Sequence, residues 1–339
     1  MRFRCCFMLL LSLAVLASCA QKVIPPSDFF KDAPPVPPGF KYAKEAIAAV
    51  ASGKIELIDP GIPAPDSVIE TKDIEYGRGG DKPLLLDMYL PQNPRGPVPA
   101  LVFIHGGGWK KGDRADYRYY TIRMAEAGYA AFTISYRLSG EAKFPAALED
   151  CKCAIRWIRA NAAKNNVDPN RIAAIGGSGG AHLAMLVGYT DAPELEGKGG
   201  NEGVSSRVQA VVNCYGPCDL TTDRARTFSD VVTFLGKSYE EDPKLYELAS
   251  PLYQVKPGAP PTLIIHGTID ELIPIEQPAQ LCEKLNAVGT PCEFDPIPGW
   301  PHTMDMAKPI NERFRYDMLK FFAQYMPPAP ASSGTNAAQ

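Results

Sequence analysis

Residues 171–180 read Arg171-Ile172-Ala173-Ala174-Ile175-Gly176-Gly177-Ser178-Gly179-Gly180, and the chain continues Ala181-His182-Leu183-Ala184-Met185-Leu186-Val187. A strand-like apolar run, a serine set between glycines and a helix-like stretch make the pattern of a nucleophile elbow. The turn is too tight for side chains, so Gly176 and Gly180 let strand and helix approach while Ser178 holds its hydroxyl outward on a strained backbone. One such match carries little weight in a chain with 29 glycines. The neighbouring sequence has to supply the remaining parts of a catalytic apparatus.

Upstream, Leu101-Val102-Phe103-Ile104 runs into His105-Gly106-Gly107-Gly108-Trp109. Acyl transfer develops negative charge on a carbonyl oxygen, and backbone N–H groups stabilise it best where glycine lets the main chain approach closely. The expected oxyanion hole combines the N–H groups of Gly106 and Gly107 with that of Gly179, the residue after the nucleophile.

The base follows by elimination among four histidines. His105 lies in the glycine loop, His182 sits four residues past Ser178 on the elbow helix, and His266 ends the apolar run Thr262-Leu263-Ile264-Ile265. The order serine, acid, histidine leaves His302, in the loop segment Pro298-Gly299-Trp300-Pro301-His302. Asp270, in His266-Gly267-Thr268-Ile269-Asp270-Glu271, is the expected acid that orients the imidazole. Glu271 is its neighbour, and Asp295 and Asp305 are weaker alternatives. Trp109 and Trp300 flank these motifs and offer aromatic faces to a sugar ring or an aromatic acyl group, or else simply pack.

Working outward, continuous apolar runs at Ala100–Ile104, Ala130–Ser135, Ile172–Ile175, Ala210–Cys214 and Thr262–Ile265 read as parallel strands buried on both faces. Ile69–Tyr76 and Leu84–Leu90 precede them as an antiparallel hairpin, and Cys292–Ile297 closes the series. Helical stretches are predicted near 115–127, 146–165, 179–190, 276–288 and 310–325. The alternation predicts an α/β fold, a mostly parallel central sheet with helices on both faces, over residues 67–326.

The first 18 residues read as an export signal: a basic start, an apolar core from Phe7 to Leu16, and Leu16-Ala17-Ser18-Cys19, which resembles a bacterial lipobox with Cys19 as the lipidated residue. The expected location is the cell envelope, periplasmic or outer-membrane face, with membrane contact only through that anchor. Residues 19–66 are proline rich and predict a stiff extended tether with a short helix near 41–51; residues 327–339 predict a disordered tail. A net charge of −3 with mixed signs gives no case for nucleic acid. Beyond the signal, Cys214 with Cys218 and Cys282 with Cys292 are the short-loop disulfide options, Cys151 and Cys153 point apart on a helix, and buried free thiols are the equal alternative.

Taken together, His105-Gly106-Gly107-Gly108-Trp109, Ser135-Tyr136-Arg137-Leu138, Phe144-Pro145 with Glu149-Asp150, the elbow, and His266-Gly267 with Asp270 resemble bacterial α/β-hydrolase esterases of the BD-FAE type, the feruloyl and acetylxylan esterases akin to hormone-sensitive-lipase-like carboxylesterases. The resemblance covers about residues 69–325. It implies Ser178, Asp270 and His302 as a triad, Gly106, Gly107 and Gly179 as the hole, an acylated carbohydrate or other small ester as substrate, and no metal or organic cofactor. Two departures stand out: Ser178-Gly179-Gly180-Ala181-His182 where the family has Ser-Ala-Gly-Gly-His, and Trp300-Pro301 before the histidine where small residues are usual. A prolyl-oligopeptidase-like peptidase shares the late His-Gly-x-x-Asp segment, yet such enzymes carry a large domain in front, and fewer than 70 residues precede the first strand here. A catalytically silent binding protein on the same scaffold is the third reading, against which every catalytic residue type is retained.

Overall fold

The computed structural model describes residues 27–328. Eight strands form one sheet: β1 (Val68–Gly79), β2 (Lys82–Pro91), β3 (Val98–Ile104), β4 (Ala130–Ile134), β5 (Val167–Gly177), β6 (Ala210–Cys214), β7 (Thr262–Gly267) and β8 (Cys292–Ile297). Their order is β1-β2-β4-β3-β5-β6-β7-β8. The β1/β2 and β2/β4 pairs are antiparallel, and all the others are parallel.

Among the described residues ten α-helices accompany the sheet: α1 (Ala43–Ala51), α2 (Arg118–Glu126), α3 (Ala146–Ala160), α4 (Gly179–Tyr189), α5 (Asp223–Thr227), α6 (Ser229–Leu235), α7 (Pro243–Leu248), α8 (Pro251–Gln254), α9 (Glu276–Ala287) and α10 (Lys308–Tyr325). Strands β3, β4, β6 and β7 are buried along their whole length, which is why they read as unbroken apolar runs rather than as alternation. The period of two still divides the core. Ala100, Val102 and Ile104 face α3, α4 and α9, whereas Leu101 and Phe103 face α2 and α10.

The strand order has one consequence for chemistry. From β3 the chain passes by α2 to β4 on one side and later by α3 to β5 on the other, so the loops leaving β3 and β5 open beside each other at a reversal of the winding. That is where doubly wound sheets form ligand crevices. The glycine loop follows β3, and Ser178 follows β5.

Two expectations change. The four short helices α5–α8, between β6 and β7, were not foreseen. More importantly, residues 27–66 do not stand free as a spacer. Phe30 and Ile58 join the core cluster of the body, and Ala43, Ala46 and Ala49 are buried. Proline-rich extended chain makes no internal hydrogen bonds, so its carbonyls are free to accept: Arg313 donates to Pro34 at 2.6 Å and the Trp300 indole to Pro37 at 3.2 Å. The expected helix at 41–51 is α1. Cys282 and Cys292 are disulfide-bonded across α9 and β8, whereas Cys151, Cys153, Cys214 and Cys218 are buried free thiols. The proposed signal, Cys19 and most of the expected tail lie outside the described residues.

Candidate active site

Ser178 caps α4 with φ 55° and ψ −123°, a left-handed conformation rarely adopted by a residue with a side chain. The local sequence sustains it. A Cβ on Gly180 would strike the Ile104 and His105 carbonyls, and one on Gly176 would strike Gly180, so strand, turn and helix are closer than any side chain permits. The Ser178 amide donates to Cys214 O at 2.9 Å and fixes the turn against the end of β6.

His302 lies on the loop between β8 and α10. Its Nε2 is 3.0 Å from Ser178 Oγ, and its Nδ1 is 2.6 Å from Asp270 Oδ2. Three stretches separated by 92 and 32 residues thus meet (270 minus 178, 302 minus 270). The other oxygen, Asp270 Oδ1, accepts from the amides of Leu272 at 2.8 Å and Ile273 at 2.9 Å. Burial pushes the Asp270 carboxyl up, but the hydrogen bond and charge of His302, the nearby His266 and the Ile273 amide outweigh it and hold the group ionised, below its ordinary value. Glu271, next to it, is exposed.

The glycine loop lies alongside. A Cβ on Gly106 would sit 2.8 Å from Gly177 O and 3.4 Å from Ser178 Cβ, and one on Gly179 would sit 3.2 Å from the Trp109 amide. The loop turns through Gly107 (φ 99°), Gly108 (φ 61°) and Trp109 (φ 59°), three successive left-handed residues. Gly106 therefore lies against Ser178, Gly179 follows it in the chain, and Gly107 lines the adjoining cleft with it.

The remaining histidines have other partners. His105 stacks on Tyr136 with 4.3 Å between ring centres. His182 packs under the site, Nε2 2.6 Å from Ala249 O, and burial drives it down to about 4. His266 Nε2 donates to Ile273 O at 2.9 Å and lies 3.4 Å from Asp270, behind the acid. Asp295 is not a rival acid, because Arg313 pairs with both of its oxygens at 2.6 and 2.9 Å. Asp305 is buried on the far side of His302, where it accepts from Tyr215.

Trp109 lines a small apolar cavity of about 50 Å³ beside Ser178, together with Gly179, Leu220, Ala225, Val231 and Ile273. Its ring stacks on Phe234 at 4.5 Å. Trp300 is elsewhere. Its ring meets Phe40 edge-on at 5.6 Å and its N–H is engaged by Pro37, so its faces are turned to the N-terminal segment and not to a substrate. On the other side of Ser178 a cleft of about 860 Å³ opens, its mostly apolar lining interrupted by Lys110, Lys111, Asp116, Arg118 and Asp230. Leu220, Phe228, Val231 and Tyr215 were missed as site residues. The faint sequence signals were Thr222, which caps α5 through its side chain, and Gly236, left-handed after α6. Among the described residues, no group of three or more His, Cys, Asp or Glu is arranged to hold a metal ion.

Residues 86–285 match the BD-FAE family. The chain belongs to the BD-FAE family. It is similar to esterase LipC of Mycobacterium tuberculosis, 36% identical over 67% of this chain and 59% of that protein. Esterase LipQ of the same organism is 32% identical over 82% of this chain and 68% of that one. Among solved structures, a truncated carbohydrate esterase from gut microbiota superposes with a TM-score of 0.69 at 30% identity, covering 78% of this chain and 98% of that chain. This BD-FAE chain thus spans somewhat more than half the length of LipC and most of the carbohydrate esterase.

Proposed function

We propose that the protein is a serine carboxylic ester hydrolase working through an acyl-enzyme, with Ser178 as nucleophile, His302 as general base and Asp270 as its orienting acid. The observation that carries this is the continuous pair of contacts from Asp270 Oδ2 through the His302 ring to Ser178 Oγ, at 2.6 and 3.0 Å. Ser178 Oγ adds to the ester carbonyl carbon as its proton passes to His302 Nε2. The carbonyl oxygen, now negative, is held by the N–H groups of Gly106, Gly107 and Gly179. Collapse breaks the bond to the alcohol, which leaves with the proton from His302. Water then adds to the acyl-serine by the same route and releases the acid.

The preferred substrate in this reading is a short acyl ester, acetyl before feruloyl, on a carbohydrate. At roughly 10–15 Å³ per water-sized occupant, the 50 Å³ cavity has room for an acetyl group but not for an aromatic acid. The larger cleft has room for a sugar, and Lys110, Lys111, Asp116 and Asp230 in its lining offer hydrogen-bonding partners to the hydroxyls. The similar carbohydrate esterase from gut microbiota supports the same class.

The test is a panel of nitrophenyl esters of rising acyl length with acetylated xylan, methyl ferulate and a peptide anilide, using Ser178→Ala as control. Activity concentrated on acetyl esters and absent from the variant is expected. Equal turnover by the variant removes the nucleophile assignment, and preferential anilide cleavage points to a peptidase. Export and anchoring at Cys19 are proposed on the sequence of residues 1–19; Cys19→Ala is expected to release the protein from the membrane fraction.

A further inference from the structure

Two stretches of the N-terminal segment, both outside the residues matched to the family, grip the loop that carries His302 from its two ends. At the entry, the Phe40 amide donates to Gly299 O at 2.7 Å, Trp300 donates to Pro37 O, and the Phe40 ring packs on Trp300. Gly39 and Gly299 touch backbone to backbone: a Cβ on Gly299 would lie 2.8 Å from Gly39 Cα. At the exit, Ile58 N donates to Met306 O at 2.8 Å, Lys308 N donates to Glu56 O at 2.9 Å, and Leu57 bridges Ala307 antiparallel.

The opposite side of the loop rests on the acid's own turn. Ile269 N donates to Trp300 O at 3.3 Å, and Gly299 N donates to Thr268 Oγ1 at 2.9 Å. His302 is therefore carried on a loop sandwiched between the Asp270 turn and the N-terminal segment. Remove the outer layer, and the loop keeps its contacts to the Asp270 turn and the anchor of Asp305 to Tyr215 but loses the bracing of its outer side at both ends. The same segment supplies Pro60 and Gly61 to the wall of the large cleft, and Arg118 holds it there through the Ile62 carbonyl.

We propose that residues 27–66 are a positioning element of the active site, a strap that sets the placement of His302 against Ser178. The proposal rests on the triad reading above. Catalysis is sensitive to such placement, since a shift of about 1 Å costs on the order of a hundredfold in rate.

The test uses the full chain with two single substitutions at the contact between segment and loop. Trp300→Phe keeps an aromatic ring beside Phe40 and removes the N–H to Pro37 O together with part of the indole's volume. Gly39→Ala inserts a methyl between the strap and Pro298. The fraction of sites competent for chemistry is counted by stoichiometric phosphonylation of Ser178, and kcat per titrated site and KM for nitrophenyl acetate are then measured beside the melting temperature. The expected result is kcat about tenfold lower per site with KM unchanged, the signature of a lost transition-state contact. Variants that melt earlier yet match the wild type in kcat per site overturn the proposal, for the strap would then only stabilise the fold. An inactive Ser178→Ala with unaffected strap variants sinks the strap alone; an active Ser178→Ala sinks the triad reading on which it rests.

Discussion

Tyr215 donates a 2.6 Å hydrogen bond to Oδ1 of Asp305 while its ring stands edge-on to His302, with 4.8 Å between ring centres. A buried carboxyl is thereby tied to the wall against which the imidazole packs. Burial pushes the Asp305 carboxyl up, and the hydroxyls of Tyr215 and Tyr120 partly offset this. Tyr215→Phe keeps the ring and removes the donor. It is expected to cost about 1–3 kcal/mol, the usual penalty for leaving a buried acceptor unpaired. Urea denaturation with an unchanged slope would show it; a midpoint equal to wild type would mean that the bond contributes nothing.

Asp317, on α10, is buried beside Asp295, and burial followed by the Asp295 charge pushes its carboxyl well above the ordinary carboxylate range. The folded state keeps a proton that the unfolded chain loses above about pH 4. Native protein then binds more protons than unfolded, so this group's contribution is complete below that pH and declines as pH rises through the raised value. Asp317→Asn removes the decline. The variant's melting temperature is expected to gain on wild type at pH 8 relative to pH 4.5, and a constant difference across that interval would contradict the assignment.

A methyl at Gly106 would enter the space beside Ser178, 2.8 Å from Gly177 O and 3.4 Å from Ser178 Cβ. The φ there is not left-handed, but the methyl meets the Gly177 backbone carbonyl and must displace the glycine loop or the elbow, so the damage falls on the oxyanion site. Gly106→Ala is expected to lower kcat by about 10²–10³. Steady-state kinetics on nitrophenyl acetate decide it, and retention of full kcat would place the donors elsewhere.

The acyl range follows from the small cavity. Leu220 is fully buried in its lining. Leu220→Ala opens space at a cost of about 2–5 kcal/mol of stability. Each added methylene in such a pocket is worth roughly tenfold or more in discrimination. The ratio of kcat/KM for butyrate over acetate is expected to rise by about tenfold; an unchanged ratio would mean that acyl chains lie in the large cleft instead.

Much of this was legible in the residues because the fold imposes hard local requirements. Ser178 needs Gly176 and Gly180, a strand buried on both faces needs an unbroken apolar run, and an acid and a base must follow the nucleophile in order. The strap was misread because proline richness reports stiffness but not destination: Pro34 and Pro37 offer the same free carbonyls to solvent as to Arg313 and Trp300. Trp300 stayed open between substrate contact and packing for a similar reason, since nearness to His302 in sequence says nothing of which way the ring turns. Helices α5 and α6 span five and seven residues, too short for a periodic pattern, and so Phe228 and Val231 were overlooked.

The central claim is that Ser178 is a nucleophile activated by His302. Treating the protein with a fluorophosphonate and measuring its intact mass and peptide map tests this most directly. The account predicts a single adduct on the peptide containing Ser178, none in Ser178→Ala, and labelling slowed by about 10²-fold or more in His302→Ala. An adduct on another residue, or labelling of Ser178→Ala at the wild-type rate, would contradict it.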